Sequence, residues 1–319
     1  MKQVGICGIG AAAPQKVLTN FDLEKMVDTS DEWIVTRTGI RERRVLEKDE
    51  GILGYIVEAA EMARKQSGIA PEHIDFVINS TLSPDRISPA QAFEVARELQ
   101  ANQAFCFDLN AACSGLVYGV AAAESFLKTR DVKYGLVTAG EQVSRFLDYT
   151  DRSTCVLFGD GAAALMLTND NPEHLIIATE LGGNPAMSEE VVIGGVRHLL
   201  NNQHNDYYFK QNGKTVFRFA VGKIKELYET VPEKAGIRPD QIKYLIPHQA
   251  NIRIIDAAAK EIVSGGTEVI ANVDRYGNTS SASIGLALHE VWGRFNKGDL
   301  ILLVGFGAGL SWGGVLIQW

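Results

Sequence analysis

Hydrophobic and polar positions alternate in blocks along the 319-residue chain, and the period of the pattern changes from block to block. Short apolar runs predict strands, among them Val4–Ile9, Ile74–Asn79, Phe105–Asp108 and Tyr134–Ala139. Between such runs, segments like Gly51–Gly68 carry apolar residues at helical spacing. Strands that alternate with helices indicate an α/β fold with largely parallel sheets.

The pattern also divides the chain into two parts. Polar, turn-forming residues around Asn169–Pro172 predict a domain boundary, with one half over residues 1–170 and the other over 171–319. The second half repeats the first in outline, since a strand, a turn of small residues, a helix and a glycine-rich hairpin recur before a final strand over Ser311–Gln318. The long irregular stretch Leu181–Gln211 predicts a binding loop or lid.

Composition and charge exclude some classes of partner but do not identify the function. Hydrophobic residues make up 46% and charged residues 22% of the chain, as in ordinary globular proteins. A net charge of −8 argues against nucleic acid as a partner, and an acidic partner would have to meet a local basic patch. No apolar run reaches the roughly 18 residues of a membrane helix, so no membrane partner is expected. The four cysteines have no metal-binding spacing and suit free thiols in a reducing cytoplasm better than a disulfide framework. The N-terminal segment has one lysine and an apolar run broken by glycines, so it is expected to form a first strand and turn rather than a signal peptide.

One cysteine lies where a strand turns into a helix. Around Cys113 the sequence DLNAACSGLVYGVAA passes from an apolar strand through small residues to a helical pattern. The first-turn amides and the helix dipole are expected to favour thiolate over thiol there. Cys113 is therefore a candidate nucleophile, and the alternative is a small buried apolar cysteine.

Two further turns resemble the one that holds Cys113. His248 follows a strand in PHQAN, and Asn278 lies in YGNTS before a helix. Loops before helices gather catalytic groups at one end of a sheet in α/β folds. A Cys/His/Asn set permits acyl transfer to the thiolate followed either by hydrolysis or by attack of a carbon nucleophile. The residues alone leave both chemistries open.

Basic residues crowd the segment after Trp33. They are Arg37, Arg41, Arg43 and Arg44. The run is either a solvated face or a site for a phosphate-bearing ligand, with Trp33 stacked on a base.

Several stretches together resemble the β-ketoacyl-[acyl-carrier-protein] synthase III family across essentially the whole chain. They are DEWIVTRTGIRERR at 31–44, NAACSGL at 110–116, FGDGAAA at 158–164, PHQANIRI at 247–254, GNTSSAS at 277–283 and GFGAGLSWG at 305–313. The resemblance implies a thiolase-like, five-layer αβαβα fold of two similar halves, with helices between two five-stranded sheets. It also implies a cytoplasmic homodimer that starts type II fatty-acid synthesis without a metal or prosthetic group.

The resemblance further implies roles for the candidate residues. Cys113 would take a starter acyl group from acyl-CoA as a thioester, with the amides of Cys113 and Ala308 as the oxyanion hole. His248 and Asn278 would bind the thioester carbonyl of malonyl-[acyl-carrier-protein] during decarboxylation. Phe158 and Phe306 would line the acyl pocket.

The same resemblance implies contacts for the larger parts of the substrates. Coenzyme A would be held by Trp33, Arg37 and Arg152 around the adenine and phosphates, and by Thr29, Gly213 and Asn251 along the pantetheine. The acidic carrier protein would meet Arg218, Arg253 and Lys260.

Some positions depart from the family pattern. Ser88 replaces an aromatic residue that in many relatives reaches into the acyl pocket of the partner subunit, so a longer or branched starter is possible. Ala308 replaces a glycine, Leu310 replaces an aromatic residue, and Glu261 stands where many relatives carry a lysine. Two other hypotheses therefore accompany the initiating enzyme. One is an acyltransferase or condensing enzyme of a specialised pathway, such as polyketide synthesis, and the other is a catalytically silent member.

Overall fold

A computed structural model describes residues 2–195, 207–262 and 266–319. The strands are β1 (Gly5–Ala12), β2 (Val17–Thr19), β3 (Glu42–Arg44), β4 (Phe76–Ser80), β5 (Phe105–Leu109), β6 (Tyr134–Glu141), β7 (Gly161–Thr168), β8 (His174–Gly183), β9 (Val191–Val192), β10 (Lys210–Gln211), β11 (Tyr244–Pro247), β12 (Glu268–Val269), β13 (Leu300–Gly307) and β14 (Ser311–Gln318). The helices are α1 (Asn20–Leu23), α2 (Asp31–Thr38), α3 (Leu53–Ser67), α4 (Gln91–Glu98), α5 (Gly115–Thr129), α6 (Gly213–Lys234), α7 (Ile252–Ile262), α8 (Val273–Tyr276) and α9 (Ser283–Val291).

The strand order is the same in both halves of the chain. The first half pairs as β1-β7-β6-β4-β5 and the second as β8-β14-β13-β11-β12. In each half the first two pairings are antiparallel and the last two are parallel. The α/β class predicted from the sequence is confirmed. The two expected sheets are joined, however, because β1 and β8 pair at Gly5↔Leu175 and Ile6↔His174 into one ten-stranded order.

Helices α5 and α9 form the middle layer, because each contacts strands of both halves. Helices α3 and α4 cover the first half, and α6 and α7 cover the second. The middle helices are apolar on nearly all sides, as expected for helices enclosed by protein. Glycines bring them close to the strands: a Cβ at Gly285 would lie 2.3 Å from Ala163 Cβ, and one at Gly119 would lie 2.8 Å from Val137 Cγ1.

The described part of the segment predicted to be a loop or lid contains regular secondary structure. β8 extends to Gly183, a 3₁₀ turn covers Pro185–Glu190, and β9 pairs with β10. Residues 196–206 of the segment lie outside the described residues. Within the described ranges, none of the helices has the length and apolar character needed to cross a membrane.

Candidate active site

Cys113 lies in the turn between β5 and α5, as the sequence predicts. The chain passes through one 3₁₀ turn, Ala112–Ser114, and α5 begins at Gly115. The end of β13 lies directly against this turn, since a Cβ at Gly307 would be 2.7 Å from Cys113 N. Only glycine lets the two backbone segments approach so closely.

The surroundings of the Cys113 thiol act on its pKa against the expectation drawn from the sequence. The residue keeps part of its surface open, but its thiol is enclosed by protein. Burial raises the pKa of the Cys113 thiol to about 12, Glu141 adds to the increase, and a hydrogen bond with Ser280 opposes it. Burial therefore opposes the preference for thiolate that the first-turn amides and the helix dipole are expected to give.

His248 follows β11, and its hydrogen bonds define which ring nitrogen faces the site. Nδ1 lies 2.6 Å from Ser283 Oγ, which already accepts a hydrogen bond from Gln249 N at 3.3 Å. In the described part of the chain, Nδ1 is the acceptor within reach of the Ser283 hydroxyl proton, which assigns the remaining ring proton to Nε2. Burial lowers the pKa of His248 to about 3, so the imidazole is neutral at neutral pH.

Hydrogen bonds fix Asn278 at its backbone N–H and at the oxygen of its side-chain amide. Its N–H donates to Leu157 O at 2.8 Å, and its Oδ1 accepts from Ser280 N at 2.9 Å. With Oδ1 engaged, Nδ2 is the donor left for a ligand. His248 and Asn278 thus both offer an N–H group.

A cavity of about 120 Å³ brings the three predicted residues together. Cys113, His248 and Asn278 line it, and Gly213 and Asn251 do so as well. The rest of the lining is largely apolar and is contributed by Leu157, Phe158, Val191, Phe209, Val216, Phe217, Phe219, Ile254, Phe306 and Leu310. Ser88 is exposed and does not line the cavity of its own chain.

Two backbone amides beside the thiol are available as donors. Ala308 lines the same cavity as Cys113. Among the residues that the structure describes, no backbone carbonyl accepts from the N–H of Cys113 or of Ala308. The pair has the composition of an oxyanion hole.

Trp33 is bordered by two guanidinium groups at the surface. Arg152 Cζ lies 5.1 Å and Arg37 Cζ 5.8 Å from the indole centroid. Nearby, Thr29 Oγ1 is buried and has no hydrogen-bond partner in the described part of the chain. Asn251 Nδ2 donates to Arg37 O at 3.2 Å, which joins this surface to the cavity.

The arginines that follow Trp33 do not share one environment. Arg43 is fully buried, and it donates to Leu18 O, Asn20 Oδ1 and Val156 O at 2.7–3.1 Å. For this residue both sequence-based alternatives are wrong, because a buried guanidinium that satisfies backbone carbonyls is neither a solvated face nor a ligand site.

The three predicted carrier-protein contacts lie on neighbouring helices. Arg218 is on α6, and Arg253 and Lys260 are on α7, which packs against α6. All three are exposed. The side chain of Glu261, the noted departure, lies outside the described residues.

Sequence reasoning missed the polar residues behind the site, Glu141, Ser280 and Ser283. Each holds another group by hydrogen bonds: Ser283 holds the His248 ring, and Ser280 joins Glu141 to the Asn278 turn. One signal was present for Glu141, since a carboxylate ends an otherwise apolar, buried strand.

Comparison with known proteins agrees with this geometry. Two family models match the chain. The model described as 3-oxoacyl-[acyl-carrier-protein (ACP)] synthase III matches residues 107–185, and the model of the C-terminal part of the same family matches residues 233–319. The β-ketoacyl-[acyl-carrier-protein] synthase III of Symbiobacterium thermophilum is 45% identical over 100% of this chain and 99% of its own.

Solved structures are similar over the same extent. The crystal structure of 3-oxoacyl-[acyl-carrier-protein] synthase III from Aquifex aeolicus matches with a TM-score of 0.91 and 41% identity, covering 99% of this chain and 100% of that one. The priming β-ketosynthase from the R1128 polyketide biosynthetic pathway has the same TM-score at 32% identity, covering 99% and 96%.

The fold and the relatives together define an acyltransferase of the condensing-enzyme class. The chain belongs to the 3-oxoacyl-[acyl-carrier-protein] synthase III family.

Proposed function

We propose that this chain joins a short acyl-CoA starter to malonyl-[acyl-carrier-protein] by decarboxylative Claisen condensation. The product is a 3-oxoacyl-[acyl-carrier-protein], which starts type II fatty-acid synthesis. The observation that carries the proposal is the convergence of one thiol and two oriented N–H donors on a largely apolar cavity. Donors of this kind stabilise oxyanions, whereas hydrolysis needs a base that activates water.

In the first half-reaction, Cys113 Sγ attacks the carbonyl carbon of the starter thioester. The amides of Cys113 and Ala308 donate to the oxyanion that forms. The carbon–sulfur bond to coenzyme A then breaks, the departing sulfur takes up a proton in place of the one that Cys113 loses, and the starter remains on Cys113 as a thioester.

In the second half-reaction, the malonyl thioester oxygen accepts hydrogen bonds from His248 Nε2 and Asn278 Nδ2. Loss of carbon dioxide leaves an enolate that these donors stabilise. The enolate carbon attacks the acyl carbonyl, the bond to Cys113 Sγ breaks, and the departing sulfur takes up a proton from solvent. A neutral His248 suits this role, because it donates a hydrogen bond without having to take up a proton.

Coenzyme A would approach over Trp33, with its adenine on the indole face and its phosphates near Arg37 and Arg152. The pantetheine would pass Thr29, Gly213 and Asn251. The unpartnered Thr29 hydroxyl supports this path, since a ligand would satisfy it. The carrier protein would bind at Arg218, Arg253 and Lys260 through its acidic surface.

The proposal includes a cytoplasmic homodimer that needs no cofactor. An exposed apolar area at the β5 edge of the sheet supports the dimer: Phe105 is 40%, Phe93 52% and Ile87 85% exposed. A strand edge beside apolar surface is typical of an interface between subunits. Ser88, the acyl-pocket candidate, lies in this area next to Ile87.

The test is intact-protein mass after incubation with a panel of acyl-CoAs, followed by malonyl-[acyl-carrier-protein]. An adduct on Cys113 that is discharged into a 3-oxoacyl product supports the proposal and identifies the starter. An adduct that the malonyl substrate cannot discharge indicates a specialised acyltransferase. Absence of any adduct would favour the hypothesis that the chain is a catalytically silent member of the family.

A further inference from the structure

Two serine hydroxyls lie between the chain segments that carry the two oxyanion-hole amides, and the mechanism above gives them no role. Ser114 follows Cys113 in the turn before α5 and is fully buried, and Ser311 is the first residue of β14. Ser114 Oγ lies 2.8 Å from Ser311 Oγ and 2.7 Å from Ala111 O. Ser311 Oγ lies 2.9 Å from Ala308 O and 3.2 Å from Ala111 O.

The positions of the hydroxyl protons join the two serines to each other. Each hydroxyl has one proton to donate. Two hydroxyl oxygens at 2.8 Å form a hydrogen bond, so one of the two protons lies between them. The other proton is then directed at Ala111 O or Ala308 O. Whichever serine donates, the pair connects the turn that holds Cys113 to the hairpin that holds Ala308.

The backbone does not make this connection by itself. In the described part of the chain, no backbone hydrogen bond joins residues 111–114 to residues 305–311, although a Cβ at Gly307 would lie only 2.7 Å from Cys113 N. The turn is also strained, because Ala112 has φ +46°, a left-handed value that favours glycine. A strained turn keeps its shape only when its surroundings hold it. The serine pair supplies hydrogen bonds that do so.

We propose that the Ser114–Ser311 pair holds the amides of Cys113 and Ala308 in register and thereby positions the oxyanion hole. The proposal rests on the proposed function, which assigns these amides to the carbonyl of the starter. That carbonyl is attacked twice, first by Cys113 Sγ and later by the enolate carbon. In both attacks its oxygen gains negative charge, and both amides have to point at it. Neither serine lines the cavity, so both are positioning residues.

Ser311→Val and Ser311→Thr form a matched pair of variants, because the two side chains have similar shapes and only threonine keeps the hydroxyl. The test measures single-turnover acylation by acetyl-CoA and discharge by malonyl-[acyl-carrier-protein] in the full-length native enzyme and in both variants. We expect Ser311→Val to slow both steps about tenfold, because the amides remain but lose their fixed geometry. Ser311→Thr should stay within about threefold of the native rates.

The infrared band of the acyl carbonyl separates positioning from a general structural role. Cys113 is acylated with [1-¹³C]acetyl-CoA, and the spectrum of Cys113→Ala treated in the same way is subtracted. Hydrogen bonds from the two amides weaken the carbonyl bond and lower its stretching frequency. We expect the band to move to higher frequency in Ser311→Val and to keep its native position in Ser311→Thr.

Two further variants complete the comparison. Ser114→Ala removes the other hydroxyl and should match Ser311→Val, and the double variant should lose nothing more, because the pair acts as one unit. Ser125→Ala is the control on the same helix. Its Oγ donates to Ala121 O at 2.9 Å in a later turn of α5, and the variant should keep the native rates and the native band.

Native rates and a native band in Ser311→Val would overturn the proposal. Equal losses in Ser311→Val and Ser311→Thr would also overturn it, as would slower steps with an unchanged band, because these results indicate packing. If Ser311→Val does not fold, Ser114→Ala decides. If the native enzyme accepts no acyl-CoA, the proposed function fails separately. Acetylation of Cys113 by p-nitrophenyl [1-¹³C]acetate then tests the serine pair through the same comparison of carbonyl bands.

Discussion

The backbone of Asn278 pairs with that of Phe158 in an isolated parallel bridge. Asn278 N donates to Leu157 O at 2.8 Å, and Gly159 N donates to Asn278 O at 3.1 Å. The turn that carries Asn278 in the second half is thereby fixed to a segment of the first half. The position of its amide relative to Cys113 depends on contacts between the two halves.

Gly277→Ala should displace the Asn278 side chain while leaving residue 278 itself unchanged. Gly277 has φ +63° and ψ −158°, and a Cβ there would lie 2.7 Å from Leu157 O. We expect condensation to fall about 100-fold and stability by about 2 kcal/mol, while Cys113 still accepts an acyl group. Single-turnover acylation, product formation and urea unfolding measure the three effects. Gly293→Ala is the control, because nothing lies within 4 Å of its Cβ position. Unimpaired condensation in Gly277→Ala would contradict this role of the bridge.

Asn278→Ala should separate the two half-reactions. Loss of one donor from the enolate site should lower condensation about 100-fold or more, while acylation of Cys113 continues. Intact-protein mass follows the acyl adduct, and product formation follows condensation. Cys113→Ser is the reference that should form no adduct. Product formation at the native rate in Asn278→Ala would remove this residue from the proposed chemistry.

The sequence was informative where chemistry follows from local position. Cys113, His248 and Asn278 each lie in a turn between a strand or short helix and a following helix, and such turns meet at one end of a sheet. Three residues from distant parts of the chain could therefore be grouped by the pattern of elements around them. The apolar periods likewise predicted the alternation of strands and helices.

The missed features depend on pairs that no local pattern reveals. Glu141 and Ser280 are 139 positions apart, and Arg43 and Val156 are 113 apart. A charged residue in such a pair has the same local sequence whether it is buried or solvated. The raised pKa of Cys113 has the same origin, because it reflects enclosure by distant segments rather than the helix start.

Trp33→Ala should weaken binding of acyl-CoA in particular. The indole is the shared surface for two guanidinium groups, and its loss removes both the stacking face and the cation–π contacts. We expect KM for acyl-CoA to rise about tenfold, with KM for malonyl-[acyl-carrier-protein] unchanged. Steady-state kinetics with each substrate varied in turn gives both constants. Trp33→Phe keeps an aromatic face and should recover most of the affinity. Equal increases in both constants would point to a general structural defect.

Arg253→Glu should weaken binding of the carrier protein in particular. Arg253 is exposed on α7, and reversing its charge opposes an acidic partner. KM for malonyl-[acyl-carrier-protein] should rise about tenfold at low salt, and the difference from the native enzyme should shrink as salt increases. Lys48→Glu makes the same change in net charge at an exposed position on another part of the surface, and should have little effect. Equal effects of the two substitutions would exclude a specific patch.

The free energy of unfolding should decrease as the pH is lowered, because of His248. Its pKa is about 3 in the folded protein and 6.5 when unperturbed, so between these values the unfolded chain binds a proton that the folded chain does not. The contribution is fully present above about pH 7 and is lost as the pH falls, by up to about 1.4 kcal/mol for each unit. Urea unfolding at about pH 7 and about pH 5 measures the loss, which should be smaller in His248→Asn. The exposed His73 gives the matched control His73→Asn, which removes a histidine outside the cavity. If His248→Asn keeps the full pH dependence, other groups cause it and His248 is not held neutral by burial.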